Sequence, residues 1–315
     1  MPFAYAIPTT TRFRGITVRE GVLLDGPAGW GEFCPFTEYD DAESVPWLAS
    51  AREAATEGWP EPVRDTVPVN CTVPAVGPDQ AFRIVRDSGC AAAKVKVADQ
   101  PGSLQADLDR VEAVRDAIGP SGAVRVDANG AWTPAEGVHA IGLLERASGG
   151  LEYVEQPCRT VDELAQVRRR VDVRIAADES IRRAEDPLRV ALAGAADVAV
   201  LKVAPLGGVH RALEVADAAG LPVVVSSALE TGVGMAAGLA LAGALPELPF
   251  ACGLGTASLL ADDVVAPDDA FVPVGGVLRV PRRAPEPVRR AALAADPDRA
   301  RWWNDRLARV SALLD

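Results

Sequence analysis

Short apolar runs alternate with amphipathic segments between about residues 67 and 255 of this 315-residue chain. The runs are rich in β-branched residues, which is typical of buried strands, and the segments between them carry apolar residues near helical spacing. The eight predicted strands are 67–73, 92–97, 123–127, 151–155, 173–178, 198–203, 222–226 and 249–254. The clearest helical segments are 104–118, 135–146, 161–170, 186–193 and 209–219. Such regular units predict parallel strands with crossover helices, in a closed barrel or a doubly wound sheet.

The chain outside these units has a different pattern. Residues 1–66 contain strand-like stretches at 21–25 and 29–32 and an acidic helix start at 39–43, which together predict a small α+β lobe. After residue 267, a Gly-Gly turn, a strand-like stretch at 277–280 and an Arg- and Ala-rich helix follow, and we expect this tail to return to the lobe. The predicted division is therefore a lobe at 1–66, a barrel or sheet at 67–266 and a tail at 267–315. The longest apolar stretch, 232–245, is too short to span a bilayer and predicts a buried helix.

Composition and charge limit the partners. The chain is 49% hydrophobic and 24% charged, as in ordinary globular proteins. A net charge of −12 and a pI near 4.8 argue against binding to nucleic acid or to an anionic membrane. An anionic small-molecule substrate is compatible with this charge if a bound cation reverses the local sign, and no protein partner is indicated.

The cysteines and the N-terminus predict a cytoplasmic protein. The five cysteines are widely spaced and contain no C-x-x-C pair, so we expect small buried hydrophobic side chains in a reducing compartment. The N-terminal residues include no basic region followed by an apolar one, so no secretory signal is predicted.

Charged side chains occur at the C-terminal ends of five consecutive predicted strands. They are Lys94 and Lys96 on the second strand, Asp127 on the third, Glu155 on the fourth, Asp178 on the fifth and Lys202 on the sixth. The C-terminal ends of parallel barrel strands open onto one face, so these side chains should converge on one site.

The three carboxylates predict a metal site. Asp127, Glu155 and Asp178 would repel one another unless a cation lay among them. An all-oxygen donor set suits Mg²⁺, whereas zinc would require His or Cys nearby. His139 and His210 fall in helix-like segments and are interpreted as surface or packing residues. The alternative for each carboxylate is that it caps the helix that follows its strand.

The lysines indicate proton transfer. Only Lys94, Lys96 and Lys202 are lysines among 32 basic residues. All the others are arginines, which neither give up nor accept a proton at neutral pH. A metal flanked by lysines suits the removal of a proton from carbon next to a carboxylate. The neighbouring positive charge would favour a neutral base at one of the two residues Lys94 and Lys96.

Taken in order, these residues resemble the muconate-lactonising branch of the enolase superfamily. The motifs are K-x-K on the second strand, D-x-N on the third, E-Q-P on the fourth, D-E-S on the fifth and a lysine on the sixth. The resemblance implies an α/β fold, a TIM-like (β/α)₇β barrel with a small α+β capping domain formed by the N-terminal lobe and the C-terminal tail. It also implies one Mg²⁺ on Asp127, Glu155 and Asp178, with Lys96 and Lys202 facing each other across the substrate.

Within the superfamily, stretches 13–21, 29–36, 226–232 and 253–256 are similar to the o-succinylbenzoate synthase family of the short actinobacterial kind. That family implies a syn-dehydration in which Lys96 takes the α-proton of the substrate and returns it to the departing hydroxide, while Lys202 stabilises the intermediate. The residues implied to bind substrate are Lys94, Asn129, Ser226, Ser227 and Gly255. For the two serines, capping of the next helix is an equal alternative. Arg12 and Arg14 are interpreted as surface residues, with contact to the succinyl carboxylate as the alternative, and Glu179 and Glu230 stay unassigned.

Three other functions remain open. The same site would serve an N-acylamino-acid racemase or a dipeptide epimerase, with Lys96 and Lys202 as opposed bases. A lysine in a barrel also suits a metal-free Schiff-base aldolase, which borohydride would trap on its substrate. A binding protein without catalytic activity would show no Mg²⁺ dependence.

Overall fold

The computed structural model describes residues 2–13, 15–182 and 189–314, and two β-sheets organise it. The first is an antiparallel sheet of three strands in the order β1-β2-β3. Its strands are β1 (Phe3–Phe13), β2 (Ile16–Gly26) and β3 (Gly29–Phe33). Helix α1 (Asp41–Thr56) follows and packs on this sheet. Its start matches the predicted acidic signal, because the Asp40 side chain accepts a hydrogen bond from the Glu43 amide at 2.8 Å.

The second sheet is the predicted barrel. Its strands are β4 (Thr66–Val73), β5 (Ala92–Lys96), β6 (Ala123–Asp127), β7 (Tyr153–Glu155), β8 (Ile175–Ala177), β9 (Val198–Leu201), β10 (Val223–Val225) and β11 (Cys252–Gly255). The hydrogen-bonded order is β10-β9-β8-β7-β6-β5-β4-β11, with all neighbours parallel. A parallel bridge between Ser226 and Gly253 joins β10 to β11 and completes the ring. The closed barrel is thereby confirmed over the doubly wound sheet.

Helices follow the barrel strands and cover the outside of the ring. They are α2 (Pro78–Ser88), α3 (Leu104–Ile118), α4 (Pro134–Ser148), α5 (Val161–Arg168), α6 (Glu179–Arg182), α7 (Arg189–Leu192), α8 (Val203–Leu206), α9 (Val209–Ala219) and α10 (Gly232–Ala244). The predicted helix 186–193 overlaps α7, and its residues 186–188 lie outside the described residues. Helix α10 is buried along most of its length, as predicted. Within the described residues, no helix is both long enough and apolar enough to cross a membrane.

Alternation along the strands decides which side chains enter the barrel. On β5, Ala93 and Val95 belong to the apolar layer between sheet and helices, together with Val111 and Val114 of α3. Successive side chains of a strand point to opposite faces, so Lys94 lies on the inner face. Burying a valine such as Val95 contributes about 1.5–3 kcal/mol, which fixes the register and with it the position of the charged residues.

The tail divides between the two sheets. Strand β12 (Val277–Arg279) pairs antiparallel with β4 of the barrel, so the predicted strand does not return to the lobe. Helix α11 (Pro297–Leu314) does return: Trp303 and Leu307 share an apolar cluster with Phe33 of β3 and Trp47 of α1. Short 3₁₀ turns at Ala257–Leu259, Pro267–Asp269 and Arg290–Leu293 occupy the connections.

Candidate active site

The C-terminal ends of the barrel strands lie level with one another. In the strand register Lys96 is opposite Asp127, Asp127 is opposite Glu155, and Glu155 is opposite Ala176. Asp178 and Lys202 directly follow β8 and β9. The parallel register therefore gathers the predicted charged residues at one end of the barrel.

Each carboxylate at this end contacts a lysine. The Lys94 ammonium donates to both oxygens of Glu155, at 3.0 and 2.8 Å, and its nitrogen lies 3.6 Å from Asp127. The Lys96 ammonium donates to Asp127 Oδ2 at 2.5 Å, and that of Lys202 donates to Asp178. The three carboxylates are at most 1% exposed. Buried charges require such partners, since an isolated charge in the interior is strongly unfavourable.

The electrostatic environment distinguishes these groups. Burial alone would lower the pKa of Lys94, but Glu155 and Asp127 outweigh burial and raise its pKa above the usual range. For Asp127, burial is outweighed by Lys96 and Lys94, so the pKa of its carboxyl lies well below the usual range. Burial and the nearby Asp127 together raise the pKa of Glu155, although Lys94 opposes them. Lys94 is therefore held as a cation between two carboxylates.

A small cavity at the C-terminal end of the barrel opens onto these charges. The predicted residues that line it are Lys94, Lys96, Asp127, Asn129, Lys202, Ser226 and Ser227. Glu155 and Asp178 are not part of its lining, but each contacts a lysine that is. Seven of the ten predicted site residues thus line one cavity.

Asn129 links Lys96 to neighbouring groups. Its side-chain oxygen accepts a hydrogen bond from the Lys96 ammonium at 2.7 Å, and its Nδ2 donates to Glu179 at 3.2 Å. Its backbone amide donates to Asp127 Oδ1 at 3.0 Å. The backbone of Asn129 has φ 47°, in the left-handed region that asparagine tolerates better than most residues.

Gly255 packs closely against a neighbouring strand. It is not among the residues that line the cavity, whereas Gly253 and Thr256 are. A Cβ at Gly255 would lie 2.5 Å from the Asn70 carbonyl oxygen on β4, so the missing side chain allows β11 and β4 to approach each other. Close strand packing thus accounts for a glycine at this position, and the substrate contact of Gly255 stays a prediction.

The other candidates lie apart from the cavity lining. Arg12 is exposed, which fits its interpretation as a surface residue, and Arg14 lies outside the described residues. His139 on α4 and His210 on α9 are exposed, as expected. Glu230 is buried and accepts hydrogen bonds from Ser227 Oγ at 2.7 Å and from the Ala228 amide at 2.8 Å.

Sequence reasoning missed several lining residues. Phe13 and Phe36 come from the N-terminal lobe, and Thr72 comes from β4. The Phe13 ring centroid lies 5.4 Å from the Lys96 nitrogen, a cation–π distance. Thr72 had a local signal, because it is a polar residue at alternate spacing within an apolar strand. The two phenylalanines had none, because their contacts depend on how the lobe docks on the barrel.

The three predicted metal ligands lie beside lysine side chains. Across residues 2–13, 15–182 and 189–314, no group of three or more His, Cys, Asp or Glu side chains is arranged to hold a metal ion. Asp127, Glu155 and Asp178 each contact an ammonium group as placed. The ligand set therefore stays a prediction.

Comparison with known proteins identifies the family. Residues 78–285 match the enolase C-terminal domain-like family, and residues 4–55 match the enolase N-terminal domain-like family. The chain is 63% identical over 309 residues to o-succinylbenzoate synthase of Thermobifida fusca, covering 98% of this chain and 95% of that protein. It is 55% identical over 310 residues to o-succinylbenzoate synthase of Mycolicibacterium smegmatis, covering 98% and 94%.

The fold has solved counterparts. A substrate-liganded L-Ala-D/L-Glu epimerase from Bacillus subtilis superposes with a TM-score of 0.76 at 23% identity, over 90% of this chain and 96% of that one. At that identity the likeness concerns the fold alone. On the family matches and the two close relatives, the chain belongs to the enolase superfamily and, within it, to the o-succinylbenzoate synthase family.

Proposed function

We propose that the protein catalyses the o-succinylbenzoate synthase reaction of menaquinone biosynthesis. In this reaction 2-succinyl-6-hydroxy-2,4-cyclohexadiene-1-carboxylate loses water to give 2-succinylbenzoate. The observation that carries the proposal is a lysine pair on opposite walls of one cavity, with buried carboxylates on the strands between them. The names of the two close relatives support the choice of substrate.

The opposed position of Lys96 and Lys202 follows from the strand order. Strand β5 carries Lys96 and β9 leads to Lys202, and the two strands are four places apart in a ring of eight. They therefore lie across the barrel from each other. A substrate ring bound between them would present one face to each lysine.

We assign the proton transfers to Lys96. Both Lys94 and Lys96 line the cavity, but the Lys94 side chain is 7% exposed and contacts both Glu155 and Asp127, whereas that of Lys96 is 14% exposed and contacts Asp127. Lys96 would remove the proton from C1, next to the ring carboxylate. The C6–O bond then breaks, a C1=C6 double bond forms, and the proton on Lys96 passes to the departing hydroxide to give water. Because the proton and the hydroxyl leave from the same face, one lysine serves as both base and acid.

The other cations would stabilise negative charge. Lys202 faces the opposite side of the ring, where its ammonium would stabilise the charge that develops as the C1 proton leaves. Lys94 lies beside the carboxylate ligand set and would contact the substrate carboxylate. Asn129 would orient Lys96 through their 2.7 Å hydrogen bond. Ser226 and Ser227 would line the succinyl side of the cavity.

The donor set fits Mg²⁺. Asp127, Glu155 and Asp178 supply only oxygen donors from three adjacent strands, which is the kind of set that Mg²⁺ prefers. Those three carboxylates would hold the ion beside the reacting carboxylate. When bound, Mg²⁺ would supply positive charge that makes the α-proton more acidic.

A cytoplasmic location suits this proposal. All five cysteines are free and buried, as expected for a protein of a reducing compartment.

One assay tests the reaction. The purified protein is given the cyclohexadiene substrate, and formation of 2-succinylbenzoate is followed by ultraviolet absorbance, with and without EDTA. We expect product only while Mg²⁺ is available, and activity that returns when excess Mg²⁺ is added. Racemisation of N-succinyl amino acids, followed by polarimetry, measures the alternative. Full racemase activity with no dehydration would refute the proposal.

A further inference from the structure

One segment forms a large part of the cavity wall. The connection from β10 to α10, residues 226–231, contributes Ser226, Ser227, Ala228 and Leu229 to the lining. Leu229 has φ 67°, in the left-handed region that non-glycine residues rarely adopt. Such a conformation persists only where surrounding contacts enforce it, and it occurs often at functional sites. The contacts that enforce the conformation of Leu229 therefore bear on the shape of the cavity wall.

The barrel side of this segment is fixed by Glu230. Its carboxylate accepts hydrogen bonds from Ser227 Oγ and from the Ala228 amide. Ser227 Oγ in turn accepts hydrogen bonds from the Leu229 amide at 2.8 Å and from Thr256 Oγ1 at 3.0 Å. These bonds fix backbone amides of the turn. The backbone carbonyls of Ala228 and Leu229 are bound by a different donor.

The carbonyl side is held from the N-terminal lobe by Arg19 on β2. Its Nε donates to the Leu229 carbonyl at 2.9 Å, and its Nη2 donates to the Ala228 carbonyl at 3.3 Å. The same Nη2 donates at 2.5 Å to the carbonyl of Cys34, which follows β3. The guanidinium also lies over the Phe36 ring, 4.7 Å from its centroid, and Phe36 lines the cavity. Arg19 is 2% exposed, so solvent does not compete for these bonds.

We propose that Arg19 is a positioning residue that couples the docked lobe to the substrate-binding wall of the barrel. Its planar guanidinium donates hydrogen bonds to two consecutive backbone carbonyls of the wall and to one of the lobe. It thereby fixes the wall in the conformation that binds the substrate. Arg19 does not line the cavity, so it acts through Ala228 and Leu229 and not on the substrate itself. This inference rests on the proposed function for the identity of the substrate.

The kinetic effect should fall mainly on binding. The wall belongs to β10 and its turn, whereas the base Lys96 and the carboxylates Asp127 and Glu155 belong to β5, β6 and β7. A displaced wall therefore weakens contacts with the substrate and leaves the proton-transfer groups in place. Loss of contacts made equally in ground and transition states raises KM while kcat changes little.

The experiment compares Arg19→Met, Arg19→Lys and the control Arg64→Met in the dehydration assay. Arg64 also binds backbone carbonyls, those of Ala242 and Leu245 at 2.5 and 2.6 Å, but at the far end of α10. We expect Arg19→Met to raise KM about tenfold with kcat within about threefold, since both hydrogen bonds from Arg19 to the wall are lost. Arg19→Lys, which keeps the charge but cannot span the carbonyls, should give a smaller rise. Arg64→Met should leave KM unchanged.

Hydrogen exchange gives a second readout that needs no activity. Backbone amides of residues 227–231 should exchange faster in Arg19→Met than in the wild type or in Arg64→Met. Unchanged KM and unchanged exchange in Arg19→Met would overturn the inference, as would equal changes in both methionine variants. If Arg19→Met does not fold, Arg19→Lys is judged by the same two readouts. If the wild type makes no product, the proposed function fails, and the exchange comparison still decides whether Arg19 positions the wall.

Discussion

Replacement of the two opposed lysines tests the division of roles between them. The variants are Lys96→Arg, Lys202→Arg and Lys202→Met. Arginine keeps the positive charge but does not act as a base at neutral pH, whereas methionine removes the charge and keeps much of the side-chain length. The series therefore separates proton transfer from charge stabilisation at each position.

The structure sets the expected magnitudes. Lys96→Arg removes the only proposed base, so kcat should fall about 10²- to 10⁴-fold. Lys202 is buried at the cavity wall and contacts Asp178. A cation about 4 Å from a developing charge, at an effective dielectric of about 20, contributes about 4 kcal/mol. Lys202→Met should therefore lower kcat roughly 10³-fold. Lys202→Arg keeps the charge, and we expect a loss of about tenfold from its larger head group.

The assay combines product formation with proton exchange. Ultraviolet absorbance gives kcat for dehydration, and NMR in deuterated buffer follows exchange of the C1 proton of the substrate. Thermal unfolding of each variant serves as a control, because Lys202→Met also removes the ammonium that contacts buried Asp178. If Lys202→Arg loses as much activity as Lys202→Met while both remain folded, Lys202 must transfer a proton and the assignment of roles is wrong.

Two further predictions concern stability. Gly255→Ala places a Cβ 2.5 Å from the Asn70 carbonyl oxygen, and the free energy of unfolding in urea should fall by about 1–3 kcal/mol. The control Gly142→Ala lies within α4, where the Arg146 side chain is the neighbour of the added Cβ, and it should raise the free energy of unfolding by about 0.5–1 kcal/mol. Asp263 accepts hydrogen bonds from the Gly232 amide at the start of α10, and burial raises its pKa to about 6. The folded state therefore keeps the Asp263 proton to a higher pH than the unfolded state does. Because of this difference, the free energy of unfolding should fall as pH rises from about 4 to 6, by at most about 3 kcal/mol. Asp263→Asn should remove that part of the pH dependence, and a stability difference from the wild type that does not change with pH would contradict it.

The barrel and its charged rim follow from local patterns. Each β-branched run becomes a strand because its alternate side chains pack under a helix, as Val95 does on β5. The same alternation directs Lys94 inward, and parallel register then brings Asp127 level with Lys96. Neither step needs information from distant parts of the chain, so a reading of the sequence strand by strand finds the charged residues of the site.

The part of the site that the N-terminal lobe forms cannot be predicted from local sequence patterns. Arg19 and Leu229 are 210 residues apart, and no local pattern at either residue indicates the other. Strand β12 likewise pairs with residues 66–68 of β4, ahead of the part of β4 that pairs with β5 and β11, although its sequence position suggests the lobe. Gly255 illustrates the same limit, because a glycine at a strand end suits both substrate contact and close strand packing. The close approach of the Asn70 carbonyl becomes apparent only in the folded chain.

Charge balance at the strand ends explains how an acidic protein can bind a dianion. The whole chain carries −12, which disfavours an anionic ligand at long range. At the strand ends, however, three lysines contact three carboxylates, and these six groups sum to zero while Lys96 is protonated and to −1 when it is the neutral base. The proposed substrate carries two carboxylates, so a divalent cation held by Asp127, Glu155 and Asp178 would balance it. Lysines alone would leave the bound dianion uncompensated, which is a physical reason for both a metal and a full set of lysines in one site.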